Sequence, residues 1–380
     1  MSVLNTKKLT MQASFGLTSA LLILTYSLSI AAILGQGLEI VLFCSIISAL
    51  CSLKAEKNVF CGHIFLLIPL HFIFTLSTPF AGFISACLGG LIFFGLSKYW
   101  KNVMLPSAVI AGGAIGLALA GTIIVTNFYF GIGATGATPI DMLKSYRSLG
   151  FHPHFMGLLT GTITLFTMIT YPFKFKKLNK YIPAEFITIF IPFILNLFLN
   201  PDKSLTTINE TVSFTPLFSD IDFSSDFFSL NTTDIGFIIR TAFALGLILF
   251  GFYYSANKQN TSALTLANIF SGSALRPFPV RGYSKTACFI AITFISLLLL
   301  LLPKPFSRIP VHSIGAMLIV SGWQTLPFRK ISDVIKKKSI IDFISFVACI
   351  VAFVITDATT ACFICIIFSY FLQRIRKERK

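Results

Sequence analysis

The chain has 380 residues, of which 55% are hydrophobic and 12% are charged, and 42 of them are phenylalanine. Its mean hydropathy of +0.84 excludes an ordinary soluble protein, because water tolerates that much apolar surface poorly and a lipid bilayer accepts it. The net charge is +16, but no basic groove interleaved with aromatic residues is present. We attribute the charge to loops beside anionic lipid, so the expected partner is the bilayer and not nucleic acid.

The sequence lacks the usual motifs of enzymes and metal sites. No HExxH, GxSxG or paired membrane aspartate motif occurs, so we expect no enzymatic activity, no cofactor and no metal. Cys362 and Cys365 have CxxC spacing, but they fall inside an apolar run without a nearby histidine and fit small buried side chains better. His152 and His154 form a lone HxH pattern without a third ligand, which is weak evidence for metal.

Apolar segments follow one another along almost the whole chain. A polar and basic segment, 1–13, precedes the first of them, and no convincing signal-peptide cleavage site follows it. By length and composition, the predicted spans are 14–34, 38–53, 59–75, 79–97, 103–125, 155–173, 183–199, 235–256, 260–271, 286–302, 310–325, 340–356 and 359–373.

The gaps between the predicted spans alternate in charge. KFKK occupies 174–177, and Arg329, Lys330 and Lys336–Lys338 fill a later gap. The gap at 200–234 instead carries six carboxylates against a single lysine. Because basic loops of membrane proteins face the cytoplasm, 200–234 is predicted to be an extracytoplasmic loop. Both termini, including the basic tail 374–380, are predicted to be cytoplasmic.

Two segments interrupt the apolar sequence with residues that break helices. Residues 58–63 contain a glycine, and residues 270–282 contain two prolines and two glycines. Transporters place their sites at such breaks, because freed backbone groups at membrane depth must face protein or water. An ordinary loop outside the membrane is the alternative for the second segment.

Two proline-led segments, LPSAVIAG at 105–112 and IPVHSIGA at 309–316, each open a predicted span. The surrounding charges predict that the first enters the membrane from the cytoplasm and the second from outside. Similar segments in opposite orientation are typical of an inverted repeat.

These stretches resemble the membrane domain of the sulfate permease (SulP) family of anion transporters, over residues 14–373. The likeness follows the order of the family's first span, its fourth-to-fifth passage, its seventh span, its ninth-to-tenth passage, and its twelfth and fourteenth spans. The corresponding segments are LLILTYSLSIAAILGQGLE, KYWKNVMLPSAVIAGGAIGLALA, LNKYIPAEFITIFIPFILNLFL, ANIFSGSALRPFPVRGYSKTA, RIPVHSIGAMLIVSGW and FVITDATTACFICIIFSYFL.

The resemblance implies an all-α polytopic membrane protein with two inverted repeats of seven spans. The repeats would occupy 14–199 and 235–373, the second shortened around 282–303. The third and tenth spans would be broken half-helices, and a core domain would move against a gate domain. Two half-helix N-termini aimed into one cavity suit an anion. The family's common C-terminal STAS domain is expected to be absent, and this compact form favours a bacterial inner membrane.

The resemblance also implies an anion pocket, carried over by position. In the family the first span often has Pro-Gln where Thr25-Tyr26 stand here, and the eighth often has a glutamate where Tyr254 stands. Arg281 is the sharpest candidate, because an arginine at membrane depth needs water, a partner or an anion. The predicted substrate-binding residues are Tyr26, Ser29, Cys61, Gly62, His63, Tyr254, Ser255, Val280, Arg281, Gly282 and Lys285.

Other polar residues at membrane depth have structural explanations. Asp357 lies between the last two predicted spans and is expected to form a turn or cap a helix. His71 and His312 are expected to be packing or rim residues. Glu185 follows Pro183 and is expected to mark a helix start.

The implied function is secondary transport of a small anion of the sulfate, bicarbonate or dicarboxylate class by alternating access. The resemblance does not decide whether a proton or sodium is the coupling ion, or whether the protein forms a homodimer. The missing acid at Tyr254 favours an uncoupled anion channel as one alternative. The shortened 282–303 region favours a non-transporting membrane scaffold as another. Tyr26 and Tyr254 could also stack on a ring, as in a proton-coupled nucleobase or aromatic-acid carrier.

Overall fold

The computed structural model describes residues 3–34, 67–99, 105–150, 152–199, 230–251, 285–301, 308–324, 326–336 and 339–378, together with the single positions 41, 46 and 50. Its helices are α1 (Val3–Leu34), α2 (Leu67–Leu76), α3 (Pro79–Tyr99), α4 (Ser107–Phe130), α5 (Pro139–Leu149), α6 (Phe155–Lys174), α7 (Ala184–Leu199), α8 (Thr232–Leu249), α9 (Lys285–Leu301), α10 (Val311–Gln324), α11 (Phe328–Lys336), α12 (Ile340–Ile355) and α13 (Ala358–Glu378).

Most of these helices coincide with predicted spans. Within the described ranges, six helical segments are long and apolar enough to cross a membrane: Thr10–Leu34, Phe80–Tyr99, Ser107–Phe130, Phe155–Lys174, Thr232–Leu249 and Ala358–Ile375. The predicted span at 260–271 lies outside the described residues. The short helices α5 and α11 were not predicted, because they lie in polar gaps between the apolar runs.

The helices pack as two groups. The first group contains α1, α2, α3, α8 and α9, in which α8 packs along α3 and α1 packs along α9. The second group contains α4, α6, α7, α10, α11, α12 and α13, with α4 in contact with both α10 and α12. Fewer contacts join the groups, chiefly through α8 with α13, α1 with α7 and α1 with α10.

Glycines bring helix backbones close together at the centre of the second group. A methyl group added at Gly112 of α4 would lie 2.4 Å from the Phe346 carbonyl oxygen of α12. One added at Gly315 of α10 would lie 2.6 Å from the Tyr129 backbone nitrogen of α4. Small residues at such crossings let helices in lipid gain dispersion contacts that larger side chains would prevent.

The same contacts give the helix directions. His312, at the start of α10, bonds to Tyr129 near the end of α4, so α4 and α10 run in opposite directions, as the charge pattern predicts. Gly112 meets Phe346 and Gly116 meets Phe353, so α12 runs parallel to α4.

We call the end at which α4 and α12 begin the basic end. The helices α6 and α13 finish there, because α6 begins beside His312 at Gly157 and α13 returns from the end of α12. Lysines and arginines from several segments gather at this end: Lys174, Lys176, Lys177, Lys180, Arg329, Lys330, Lys336 and Arg374. Asp234 and Asp357 lie at the opposite end.

We expect Gly112→Ala to lower the free energy of unfolding by about 1–3 kcal/mol, because the new methyl group meets a backbone oxygen that cannot rotate away. Thermal unfolding of detergent-purified protein would measure the loss. The matched control is Gly95→Ala in α3, where nothing lies within 4 Å of the added carbon and alanine favours the helix. Equal melting temperatures of the two variants would contradict this account of the crossing.

Candidate functional site

A polar contact crosses the middle of the boundary between the two helix groups. The Tyr26 hydroxyl of α1 donates to Ser321 Oγ of α10 at 3.4 Å. Tyr26 is half-buried and Ser321 is buried. A predicted site residue of the first group therefore contacts the second group directly.

Close to this contact, Trp323 Nε1 of α10 donates to Thr122 Oγ1 of α4 at 3.1 Å, and Thr122 donates to the Ala118 carbonyl oxygen at 2.7 Å. A cavity of about 30 Å³ lies beside Thr122, between Ile33 and Ile68 of the first group and α4 and α10 of the second. That volume holds one or two water molecules.

Ser29 lies in α1 one turn beyond Tyr26 and is fully buried. Its hydroxyl donates to the Thr25 carbonyl oxygen at 2.8 Å. Because an anion needs donors and this proton is already engaged within the helix, Ser29 offers no donor to the boundary in this conformation. Its role as a substrate-binding residue remains a prediction.

The other predicted site residues are not placed by the structure. Lys285 is the first residue of α9, but its side chain is outside the described part of the chain. The remaining ones also lie outside the described residues: Cys61, Gly62, His63, Tyr254, Ser255, Val280, Arg281 and Gly282.

An ion pair joins the two groups at the opposite end. Arg240 Nη2 of α8 lies 2.9 Å from Asp357 Oδ1, in the turn between α12 and α13. The Thr359 hydroxyl also donates to the Arg240 carbonyl oxygen at 2.9 Å. A cavity of about 160 Å³ lies beside the pair, lined by α2 and α8 on one side and by the start of α13 on the other.

Asp357 also caps α13, as predicted. Its Oδ2 accepts from the backbone N–H groups of Thr359 and Thr360 at 3.1 and 3.2 Å. Partial burial alone would raise the pKa of Asp357, but the hydrogen bonds from Thr360 and the charge and hydrogen bond of Arg240 outweigh it and lower that pKa. The carboxylate is therefore ionised at neutral pH and holds Arg240 as a charged partner.

A weaker tether joins the groups at the basic end. The Thr18 hydroxyl of α1 donates to the Tyr181 carbonyl oxygen before α7 at 2.7 Å, and Lys180 Nζ lies 5.9 Å from the centre of the Phe15 ring. A largely apolar cavity of about 240 Å³ also lies at the basic end, between the end of α8 and the facing parts of α4 and α13. Cavities thus occur along the boundary at both ends and in its middle.

The two buried histidines bind backbone oxygens. His71 Nδ1 of α2 lies 2.9 Å from the Ile33 carbonyl oxygen at the end of α1. His312 Nδ1 lies 3.0 Å from the Tyr129 carbonyl oxygen, with Gly157 leaving room for the ring. Both agree with the predicted packing role. No group of three or more metal-binding side chains occurs among the described residues.

Sequence analysis missed four residues at the boundary: Arg240, Ser321, Trp323 and Thr122. Arg240 is a charge inside an apolar run, which is a signal that the sequence does carry. The other three are ordinary polar or aromatic residues within spans. Only the crossing of α4 and α10 identifies them.

Comparison of the sequence with protein-family models and with curated proteins gives no match. Among solved structures, the murine Slc26a9 anion transporter in its inward-facing state has 13% identity and a TM-score of 0.67, over 96% of this chain and 68% of that one. A second SLC26A9 structure has 15% identity and a TM-score of 0.71, over 96% and 65%. This chain therefore spans about two thirds of the length of both.

The transmembrane domain of the cyanobacterial bicarbonate transporter BicA matches with 15% identity and a TM-score of 0.64, over 92% of this chain and 96% of that domain. With its apolar helices, the chain is an integral membrane protein of the polytopic α-helical class. Its fold is that of the SLC26A9 and BicA membrane domains. This confirms the all-α polytopic fold that the SulP resemblance predicts, and the two inverted repeats with their half-helices stay predictions.

We expect a double-mutant cycle of Arg240→Gln and Asp357→Asn to give a coupling free energy of about 0.5–1 kcal/mol, since both side chains are partly exposed. The asparagine retains an oxygen for capping α13, so the cycle isolates the ion pair. Chemical unfolding of the four proteins in detergent at neutral pH would measure it.

The pH dependence of that coupling follows from the lowered pKa of Asp357. The coupling is present above the unfolded-state pKa of about 3.9 and is lost as the pH falls through the lower folded-state value. A constant coupling from pH 8 to pH 5 is therefore expected. Loss of coupling within that range would show that Asp357 does not hold its charge as described.

Proposed function

We propose that the protein is a secondary transporter of a small anion that works by alternating access. The observation that carries this proposal is the boundary between the two helix groups. It contains cavities at both ends and in the middle. Separate polar tethers cross it at the two ends, with the contact of Tyr26 and Ser321 between them. Two bodies joined in this way can separate at one end while they remain in contact at the other.

The likeness of fold supports the class of solute. The matched proteins are described as an anion transporter and a bicarbonate transporter, and the sequence resembles the sulfate permease membrane domain. Sulfate, bicarbonate or a dicarboxylate is the proposed substrate class.

An inverted repeat is supported by the pattern of helix contacts. Exchanging α1 with α8, α3 with α9, α4 with α10, α6 with α12 and α7 with α13 turns the main contacts among these ten helices into observed contacts. The α1–α9 pair becomes α8–α3, and the α4–α12 pair becomes α10–α6. The tether of α1 to the loop before α7 likewise becomes the tether of α8 to the turn before α13.

Orientation follows from the charges. The basic end is proposed to face the cytoplasm, because loops rich in lysine and arginine are retained there. Lys177, Lys336 and the tail of α13 would then be cytoplasmic, and Asp357 would face outward. The apolar cavity of about 240 Å³ would open toward the cytoplasm.

The anion is proposed to bind at the boundary beside Tyr26, and the interrupted segments 58–63 and 270–282 are proposed to supply its other contacts. Backbone N–H groups at broken helix ends carry partial positive charge, and Arg281 would supply a full one. A carboxylate is absent from α8 beyond Asp234, and Tyr254 stands where the family often has an acid. This absence favours an uncoupled anion conductor as the second candidate function.

The first test is uptake of labelled sulfate, bicarbonate and a dicarboxylate into liposomes that hold the purified protein. Saturable uptake of one anion is expected, and Arg281→Ala should abolish it because the charge that offsets anion desolvation is removed. Arg276→Ala is the matched control, since it removes an identical charge five positions away and Arg276 is not among the predicted substrate-binding residues. Current without saturation would favour the conductor, and no flux through correctly inserted protein would remove the proposal.

Cross-linking across the opposite end tests alternating access. In a background that keeps Cys61 and lacks the other seven cysteines, we expect a bifunctional thiol reagent to stop uptake through Arg240→Cys with Asp357→Cys, because the two groups can no longer separate there. Cleaving the linker should restore uptake. The control pair is Asp141→Cys with Lys144→Cys, an ion pair of 3.2 Å within α5, where bridging should change nothing. Full uptake by the bridged first pair would contradict the mechanism.

A further inference from the structure

The short helix α11 connects two spans at the basic end. It begins four residues after α10 finishes and ends four residues before α12 begins, so it cannot leave the membrane surface. It packs on α4, with Val334 buried. Phe328 and Ile335 are instead 61% and 62% exposed, which is costly in water and favourable at the boundary between headgroups and acyl chains.

The cations of α11 are placed beside those exposed apolar side chains. Arg329 and Lys336 are exposed and Lys330 is half-buried, and Lys337 and Lys338 follow in the sequence. Asp333 is the acidic residue of the helix. The ion pairs found in the described part of the chain involve none of these cations.

Lys330 adds a second observation. Burial lowers its pKa, which means that its ammonium group has lost part of its hydration without gaining a carboxylate among the described residues. A partly desolvated cation at a membrane surface is stabilised by an anion from the other side. Phosphate groups of lipids lie at that depth when neighbouring apolar side chains insert below them.

We propose that α11 is a docking surface for anionic phospholipid headgroups of the leaflet at the basic end, with Phe328 and Ile335 inserted below the phosphates. The helix α11 packs on α4, which carries Thr122 at the boundary. An anionic lipid bound to α11 is therefore linked through α4 to the second helix group. The assignment of the bound lipid to one leaflet depends on the proposed orientation of the protein. Lipid binding itself does not depend on transport.

The test measures retention of phosphatidylglycerol by native mass spectrometry, from mixed phosphatidylcholine–phosphatidylglycerol nanodiscs. The triple variant R329Q/K330Q/K336Q should bind phosphatidylglycerol roughly 100-fold more weakly, since each surface cation contributes about fivefold. The matched comparison is K174Q/K176Q/K177Q, which removes the same charge from another segment of the basic end. Its three lysines are exposed, whereas Lys330 of α11 is half-buried, so this variant should lose clearly less phosphatidylglycerol than the first. Melting temperatures check that both variants are folded.

Two results would overturn the proposal. Equal losses in the two variants would mean that the basic end attracts lipid diffusely, and an unchanged affinity in the first variant would mean that α11 binds no lipid. The variant F328S/I335S keeps every cation and should also weaken retention, because the headgroups would lose their apolar anchor. Neither measurement requires transport, so a failure of the transporter proposal can be distinguished from a failure of the lipid-binding proposal. Labelling of Lys336→Cys with an impermeant reagent tests the side separately.

Discussion

The close approach of α4 to both α10 and α12 is the constraint on which the second helix group depends. In lipid, burying apolar side chains between helices gains little, because acyl chains are equally apolar. Stability comes instead from dispersion between backbones that nearly touch, which the glycines at 112 and 315 permit. The crossing also places Thr122, Ser321 and Trp323 on one boundary. The geometry of the candidate site therefore depends on where α4 and α10 lack side chains.

Polar contacts in this protein serve two distinct purposes. Many hydroxyl groups donate to carbonyl oxygens of their own helix, as Ser29 does. They make their hydrogen bonds at membrane depth without linking helices. A smaller set crosses the boundary between the groups, with Tyr26 and Thr18 on α1 and Arg240 on α8. Because each of these contacts is weak on its own, the groups can exchange them for others at little cost in free energy, which alternating access requires.

Positive charge is concentrated at the basic end of the bundle, and this links orientation, lipid binding and conformational change. The cations at the basic end come from segments that are far apart in the sequence, yet the helix directions bring them to one surface. At the opposite end, Arg240 is held by Asp357. A membrane with one anionic face would orient the cations of the basic end. The ion pair of Arg240 and Asp357 holds the two helix groups together on the other side.

The sequence by itself determined the class of protein, most span boundaries, the opposite directions of α4 and α10, and the structural roles of Asp357, His71 and His312. Each of these depends on hydropathy, charge or local hydrogen bonding, which a short stretch of chain carries. Only the tertiary structure decided that Tyr26 meets Ser321, that Arg240 pairs with Asp357, and that the Ser29 proton stays within α1. Those contacts join residues more than a hundred positions apart, or depend on rotamers set by packing, so no local pattern could reveal them.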